Sequence, residues 1–191
     1  MNAYEVLRDV HQVGSPLLGT VTGRTDIDMV HGFLGGHVTL ATSSEYRAIL
    51  PYQDLADDPS QFTPDLIPPI GSEIATVVFN FVDGMLYLSA KPKDLKPSTI
   101  ELWRVFYAYV HTLKVGCEII GVVEKAVPFG LFVNIGSPYI GLIDVGHTSI
   151  NGGKALPFDQ LAWPKLGDRI RCTIGYIRFH NRQIGLGWSP D

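Results

Sequence analysis

The stretch 127-VPFGLFVNIGSPYIGLIDV-145 alternates Leu131, Val133 and Ile135 with Gly130, Phe132 and Asn134. This is the period of two that a half-buried strand imposes. The aliphatic set supplies the face that packs, so Phe132 falls on the face turned to water. Phe129 stands in the turn just before the strand. The question is what two rings on a wet surface are for.

Outward from this strand, the chain repeats itself. Leu18-Gly19-Thr20-Val21 is echoed by Ile120-Gly121-Val122-Val123, and Ala48-Ile49-Leu50-Pro51 by Gly141-Leu142-Ile143-Asp144. Pro69-Ile70-Gly71-Ser72-Glu73-Ile74 returns as Lys165-Leu166-Gly167-Asp168-Arg169-Ile170, and Leu86-Tyr87-Leu88-Ser89 as Ile184-Gly185-Leu186-Gly187. The order is the same in both halves, with offsets of 93 to 102 residues. Each copy reads as three strands, a Pro-rich irregular or helical connection, and a closing hairpin. Asp83-Gly84 and Asn181-Arg182 are its turn sites, the first with the stronger hairpin chemistry. Five short strands with an insert after the third predict a Greek-key barrel of the oligonucleotide-binding (OB) type. The fold class is therefore mainly β: two five-stranded OB-type barrels joined by an α-helix.

The helix is read from 97-PSTIELWRVFYAYVHTLKVG-116. Ser98 and Glu101 have capping-box spacing behind Pro97, and Gly116 is a stop. Trp103, Phe106, Tyr107 and Val110 share one helical face, a packing stripe. The domains are thus residues 1–96, a connecting helix over 97–114, and residues 115–191.

Composition agrees with compact β structure. Of 191 residues, 46% are hydrophobic and 18% charged, with 20 Gly and 13 Pro punctuating short apolar runs. Net charge is −4, unevenly spread: residues 1–96 carry 6 Lys/Arg against 12 Asp/Glu, whereas residues 115–191 carry 7 against 6. A dedicated duplex-DNA binder is more often basic overall. Two cysteines make no disulfide framework or metal-ligand spacing. The first dozen residues lack the basic and apolar regions of a signal peptide, and no apolar run approaches a membrane span. A cytoplasmic protein with no membrane partner is expected.

The second copy resembles the S1 RNA-binding domain family. It carries Gly121-Val122-Val123, then Phe129-Gly130-Leu131-Phe132-Val133-Asn134-Ile135, then Gly141-Leu142-Ile143, Gly167-Asp168-Arg169-Ile170 and Ile184-Gly185-Leu186-Gly187, over roughly residues 116–188. The first copy is a divergent match: aligned on Val38 and Leu40, its two Phe positions become Leu34 and His37. The resemblance implies that Phe129 and Phe132 are platforms for the bases of single-stranded RNA. A base stacked on an aromatic ring contributes about 1–3 kcal/mol. This chain departs from the family at Asp144, where a His is frequent, and at Gly146, where a Ser is, with His147 close by. It departs again in the last hairpin, where Arg178 and Gln183 replace an Asp and an Arg, with His180 and Arg182 beside them. The RNA-binding residues expected are Phe129, Phe132, His147, Arg178, His180, Arg182 and Lys125. Arg171, Arg178, Arg182, Lys125 and Lys165 together either follow a phosphate backbone or form an ordinary solvated face.

No P-loop, nucleotide-binding Gly fingerprint or metalloprotease His pair is present. Asp26 with Asp28, and Asp57 with Asp58, read as solvated loop acids, and neither cysteine has a nearby base to activate it. No catalytic residue, metal ligand or cofactor is expected. Two functions compete. One is RNA binding carried mainly by the second barrel. The other is a regulatory module whose acidic first barrel docks a protein partner.

Overall fold

Alternating apolar residues bounded by Gly and Pro become strands, and the strands close on themselves. The computed structural model describes residues 3–30, 33–146, 154 and 156–189. The chain divides into two compact units, Met1–Tyr107 and Ala108–Asp191.

In the first unit the strands are β1 (Pro16–Arg24), β2 (Asp28–Val30), β3 (Phe33–Gly35), β4 (His37–Ala41), β5 (Arg47–Pro51), β6 (Glu73–Val82) and β7 (Met85–Ser89). Five of them form a closed barrel in the order β1-β4-β5-β7-β6. Within it β5 and β7 run parallel and the other described pairs antiparallel. The short β2–β3 hairpin is a separate two-stranded sheet that the sequence pattern had not marked.

In the second unit β8 (Glu118–Val127), β9 (Gly130–Asn134), β10 (Gly141–Asp144), β11 (Arg169–Arg178) and β12 (Gln183–Trp188) close in the order β10-β12-β11-β8-β9, with β10 and β12 parallel. The cyclic order matches that of the first barrel, and it is the order of an OB-type Greek key. Irregularities fall at matching places as well. β1 shifts register between Val21 and Gly23 and β8 between Val123 and Lys125; β6 shifts between Val78 and Asn80 and β11 between Ile174 and Tyr176. Such bulges bend a strand and sharpen its twist, which lets a five-stranded sheet close.

The inward sets are those the alternation assigns. Val21, Val38, Leu40, Leu50, Leu86 and Leu88 are buried in the first barrel, and Val123, Leu131, Val133, Ile143, Ile184 and Leu186 in the second. Each aliphatic side chain so buried contributes roughly 1.5–3 kcal/mol relative to exposure. The Pro-rich inserts are irregular with single 3-10 turns, at Pro59–Gln61 and Pro64–Leu66 in one unit and Gln160–Ala162 in the other. Both end in the same clasp: the Gly71 N–H donates to the Val21 carbonyl at 2.8 Å, and the Gly167 N–H to the Val123 carbonyl at 2.9 Å. Asp83 and Gly84 have φ of 50° and 79°, the paired positive values of a type I′ hairpin. The second hairpin takes a 3-10 turn, Phe179–Asn181, that closes on Arg182 at φ 49°.

The helix spans Pro97–Val110. Proline suits a first helical turn, where its missing N–H has no intrahelical partner to lose. The Ser98–Glu101 capping box is not made: Glu101 turns along the helix to Arg104, whose Nη1 donates to Oε2 at 2.6 Å. The aromatic stripe does pack. Phe106 and Tyr107 are buried, and the Tyr107 hydroxyl donates to the Leu7 carbonyl at 2.8 Å while accepting from the Val13 N–H at 2.9 Å. Through Tyr107 the helix as far as that residue packs within the first unit, and its last three residues fall in the second. Among the described residues no helix is long and apolar enough to cross a membrane.

One buried ion pair stands out in the first unit. Asp54, 4% exposed at the end of the turn after β5, is paired with Lys91 after β7. Burial pushes the Asp54 carboxyl above its usual range, with Lys91 pulling it back. Removing one member of such a pair leaves a buried charge and costs about 3–5 kcal/mol. Lys91→Met is therefore expected to lower stability by that order near neutral pH in urea unfolding of the full chain. Because the folded-state pKa of Asp54 is raised, the deficit applies above that pKa and shrinks as pH falls through it, where the carboxyl is neutral. A deficit that grows on acidification contradicts this account.

Candidate nucleic-acid interface

The register of the second barrel sets one row of residues across its outer face. Lys125 on β8 pairs with Phe132 on β9, Phe132 with Leu142 on β10, Leu142 with Gly185 on β12, and Gly185 with Tyr176 on β11. Paired residues point to the same side of a sheet, so Phe132, Leu142 and Tyr176 share the outer face. Leu142 is nonetheless buried, and Phe132 and Tyr176 are half-buried. Gly185 is what admits the tyrosine: a Cβ there would lie 2.4 Å from the Tyr176 ring.

Phe129 reaches this face from the turn between β8 and β9. It is 51% exposed, and its ring meets that of Phe132 edge-to-face, at 6.1 Å between centroids and 89° between planes. The turn is pinned against the end of β10. The Val145 N–H donates to the Phe129 carbonyl at 3.1 Å, and Gly130, at φ 151°, lies so close that a Cβ would sit 2.0 Å from the Ile143 carbonyl oxygen. Only glycine fits that approach.

Two charges follow on the same face. Asp144 lies two residues beyond Leu142 and Arg178 two beyond Tyr176, and the Arg178 Nη2 donates to Asp144 Oδ2 at 2.5 Å. The guanidinium also lies over the Tyr176 ring, its Cζ 5.6 Å from the centroid, in cation–π range. Burial raises the Tyr176 phenol above its ordinary pKa, so the ring stays neutral in physiological buffers.

The expected residues thus fall into groups. Phe129, Phe132, Lys125 and Arg178 come together on this face, with Lys125 exposed. Arg182 lies in the β11–β12 turn rather than on a strand. His180 is in that turn too, but its side chain lies outside the described residues, as does His147 entirely. Arg171 is exposed near the start of β11, paired with Ile120 and away from the rings. Lys165 is in the clasp, its N–H donating to Asp168 Oδ2 at 2.7 Å. Tyr176 is the residue that sequence reasoning missed; its signal is the bulge that turns it outward, which one sequence does not reveal.

The first barrel differs at every corresponding position. Its row runs Gly23, Thr39, Ile49, Tyr87 and Asn80. Thr39, not His37, occupies the place of Phe132, because Leu40 pairs with Val21 as Val133 pairs with Val123. The alignment on Val38 and Leu40 was therefore two residues out of register. Where the second barrel has Asp144 and Arg178, the first has Pro51 and Val82.

Nothing among the described residues gathers three or more metal-ligating side chains. Cys172 is fully buried, and burial pushes its thiol up to about 12, the opposite of an activated nucleophile.

Gly185→Ala tests the seat of the tyrosine. The added methyl forces the Tyr176 ring aside, with an expected loss of about 1–3 kcal/mol in thermal or urea unfolding. An unchanged stability together with unchanged tyrosine fluorescence would contradict the contact.

No family model matches the chain. Over 186 residues, 97% of its length, the chain is 23% identical to the small ribosomal subunit protein bS1 of Rickettsia typhi. It spans 30% of that curated relative. Among solved structures, it is similar to a multidomain protein with nucleic acid binding domains from Streptococcus pneumoniae, at 13% identity and TM-score 0.31, covering 100% of this chain and 54% of that one. It is also similar to GSP13 from Bacillus subtilis, at 19% identity and TM-score 0.33, covering 41% and 62% of the respective chains.

Proposed function

We propose that this chain is a non-catalytic RNA-binding protein of the S1 type, with tandem barrels joined by the helix, acting in the cytoplasm without a cofactor. Its second barrel binds single-stranded RNA by stacking bases on Phe129 and Phe132. The observation that carries this reading is the outer face of β9 and β10: two rings edge-to-face, one half exposed, on a strand whose core face is already filled. Aromatic rings held this way bind unstacked bases with little sequence preference, since every base offers a π-face. The sequence likeness to a ribosomal protein, and the S1-like motifs, support the same conclusion.

The first barrel plays a different part. Its outer row keeps one ring, Tyr87, but has Thr39, Pro51 and Val82 where the second barrel has Phe132, Asp144 and Arg178, and residues 1–96 carry an excess of six acidic groups over basic ones. That excess of acidic charge opposes a polyanion. That contrast favours a protein partner for the first barrel as the second activity of the chain.

The test is a fluorescence anisotropy titration of the full chain with a single-stranded RNA of about 12 nucleotides, within the site size of OB barrels. Phe132→Ala removes an outer-face ring without touching the core, and is expected to weaken binding by about 1–3 kcal/mol. Absence of binding by the unaltered protein, or equal binding by the variant, rejects the proposal.

A further inference from the structure

An arginine on an RNA-binding face ordinarily meets phosphate. Arg178 is placed differently. Its Nη2 is already bonded to Asp144 Oδ2, at 2.5 Å, with the two side chains 23% and 15% exposed. Its guanidinium carbon lies over the Tyr176 ring, 5.6 Å from the centroid, and that ring is seated over Gly185. Asp144 is itself held in place, because its Oδ1 accepts from the Gly146 N–H at 2.7 Å. The next residue, Val145, is tied by its N–H to the Phe129 carbonyl. The carboxylate is therefore part of the turn that carries Phe129, and it does not swing away without disturbing that turn.

A phosphate approaching Arg178 meets this fixed carboxylate as a like charge in a half-buried setting, where repulsion is stronger than in water. A nucleobase meets no such opposition. The guanidinium is a flat, weakly hydrated surface that stacks on π-systems, and here it lies over the Tyr176 ring within cation–π range. We propose that Asp144 converts Arg178 from a phosphate ligand into a stacking ledge, giving the interface a further base seat on Arg178 and Tyr176 beside Phe129 and Phe132. The inference rests on the RNA-binding reading above and specifies its chemistry: bases are held by planes, and few phosphates are neutralised.

The salt dependence of RNA affinity separates the two roles of Arg178, because each phosphate neutralised on a single strand adds about 0.7 to the slope of log K against log salt. Lys125→Gln, which removes an exposed cation opposite Phe132, calibrates the loss of one such contact. Asp144→Asn keeps the oxygen that Gly146 uses but removes the charge. It is expected to release Arg178 to phosphate and steepen the slope by about 0.7, roughly a 2.5-fold greater change in affinity between 50 and 200 mM salt. Arg178→Lys keeps the charge and an ion pair with Asp144 but has no plane. It is expected to weaken binding about tenfold at every salt concentration, with the slope of the unaltered protein.

An unchanged slope in Asp144→Asn, or full affinity in Arg178→Lys, overturns the inference while leaving RNA binding intact. Absence of RNA binding by the unaltered chain overturns the functional reading and this inference with it. A variant that folds incompletely raises the apparent Kd by one factor at every salt concentration, so the folded fraction of each variant is measured by urea unfolding and the affinities are compared per folded protein.

Discussion

The extra residue at Gly175 decides what the outer face of the second barrel contains. Upstream of it, Cys172 and Ile174 point inward; downstream, Ile177 does. The register slips by one between Ile174 and Tyr176, which turns Tyr176 and then Arg178 outward. Without that slip a strict alternation would send Tyr176 and Arg178 into the core and Ile177 to water. A buried guanidinium without matching partners costs several kcal/mol, so the bulge and the outer-face chemistry stand or fall together. The tyrosine seat and the ion pair both depend on this one local irregularity.

Much of the fold was legible because its information is local. The alternation of Leu131, Val133 and Ile135 gives the inward face of β9 directly, and the repeated glycine-bounded motifs expose the duplication of strand order. The Asp-Gly hairpin and the aromatic stripe of the helix are likewise short-range signals. What was not legible depends on pairing between distant segments. Asp144 and Arg178 are separated by 34 residues; the sequence offered Arg178 as an RNA contact and Asp144 as a departure from the family pattern, but not as partners. A departure from the family pattern at both sites proves to be one ion pair. Tyr176 was missed because a bulge changes the parity of a strand without changing its composition. The two-residue error that put His37 in the place of Phe132 has the same origin: Val38 and Leu40 both face inward, so alternation alone accepts either register. The capping box failed for another reason, since its glutamate found a competing partner in Arg104.

The comparison of the two barrels shows that the outer face changes as a set. In the second barrel Tyr176 on β11 is paired with Gly185 on β12; in the first, Asn80 on β6 is paired with Tyr87 on β7. Each pair holds one tyrosine and one smaller residue, on opposite strands. The reason is steric, since even a methyl group at 185 would come within 2.4 Å of the Tyr176 ring. At 185 the Tyr176 ring leaves no room for a side chain, so a tyrosine there, as at 87, requires position 176 to change as well.

The charges follow the ring. With its tyrosine on β7, the first barrel has Asn80 on β6 where the second has Tyr176 on β11, and it has Val82 paired with Met85 where the second has Arg178 paired with Gln183. Pro51, opposite His37, offers no carboxylate where Asp144 stands. An arginine introduced at 82 alone would have Asn80 where Arg178 has Tyr176, and Pro51 where it has Asp144. Conversion of one face into the other thus needs several coupled substitutions. The first barrel is thus a different packing solution on the same strand order, with a tyrosine on β7 in place of the tyrosine and arginine on β11.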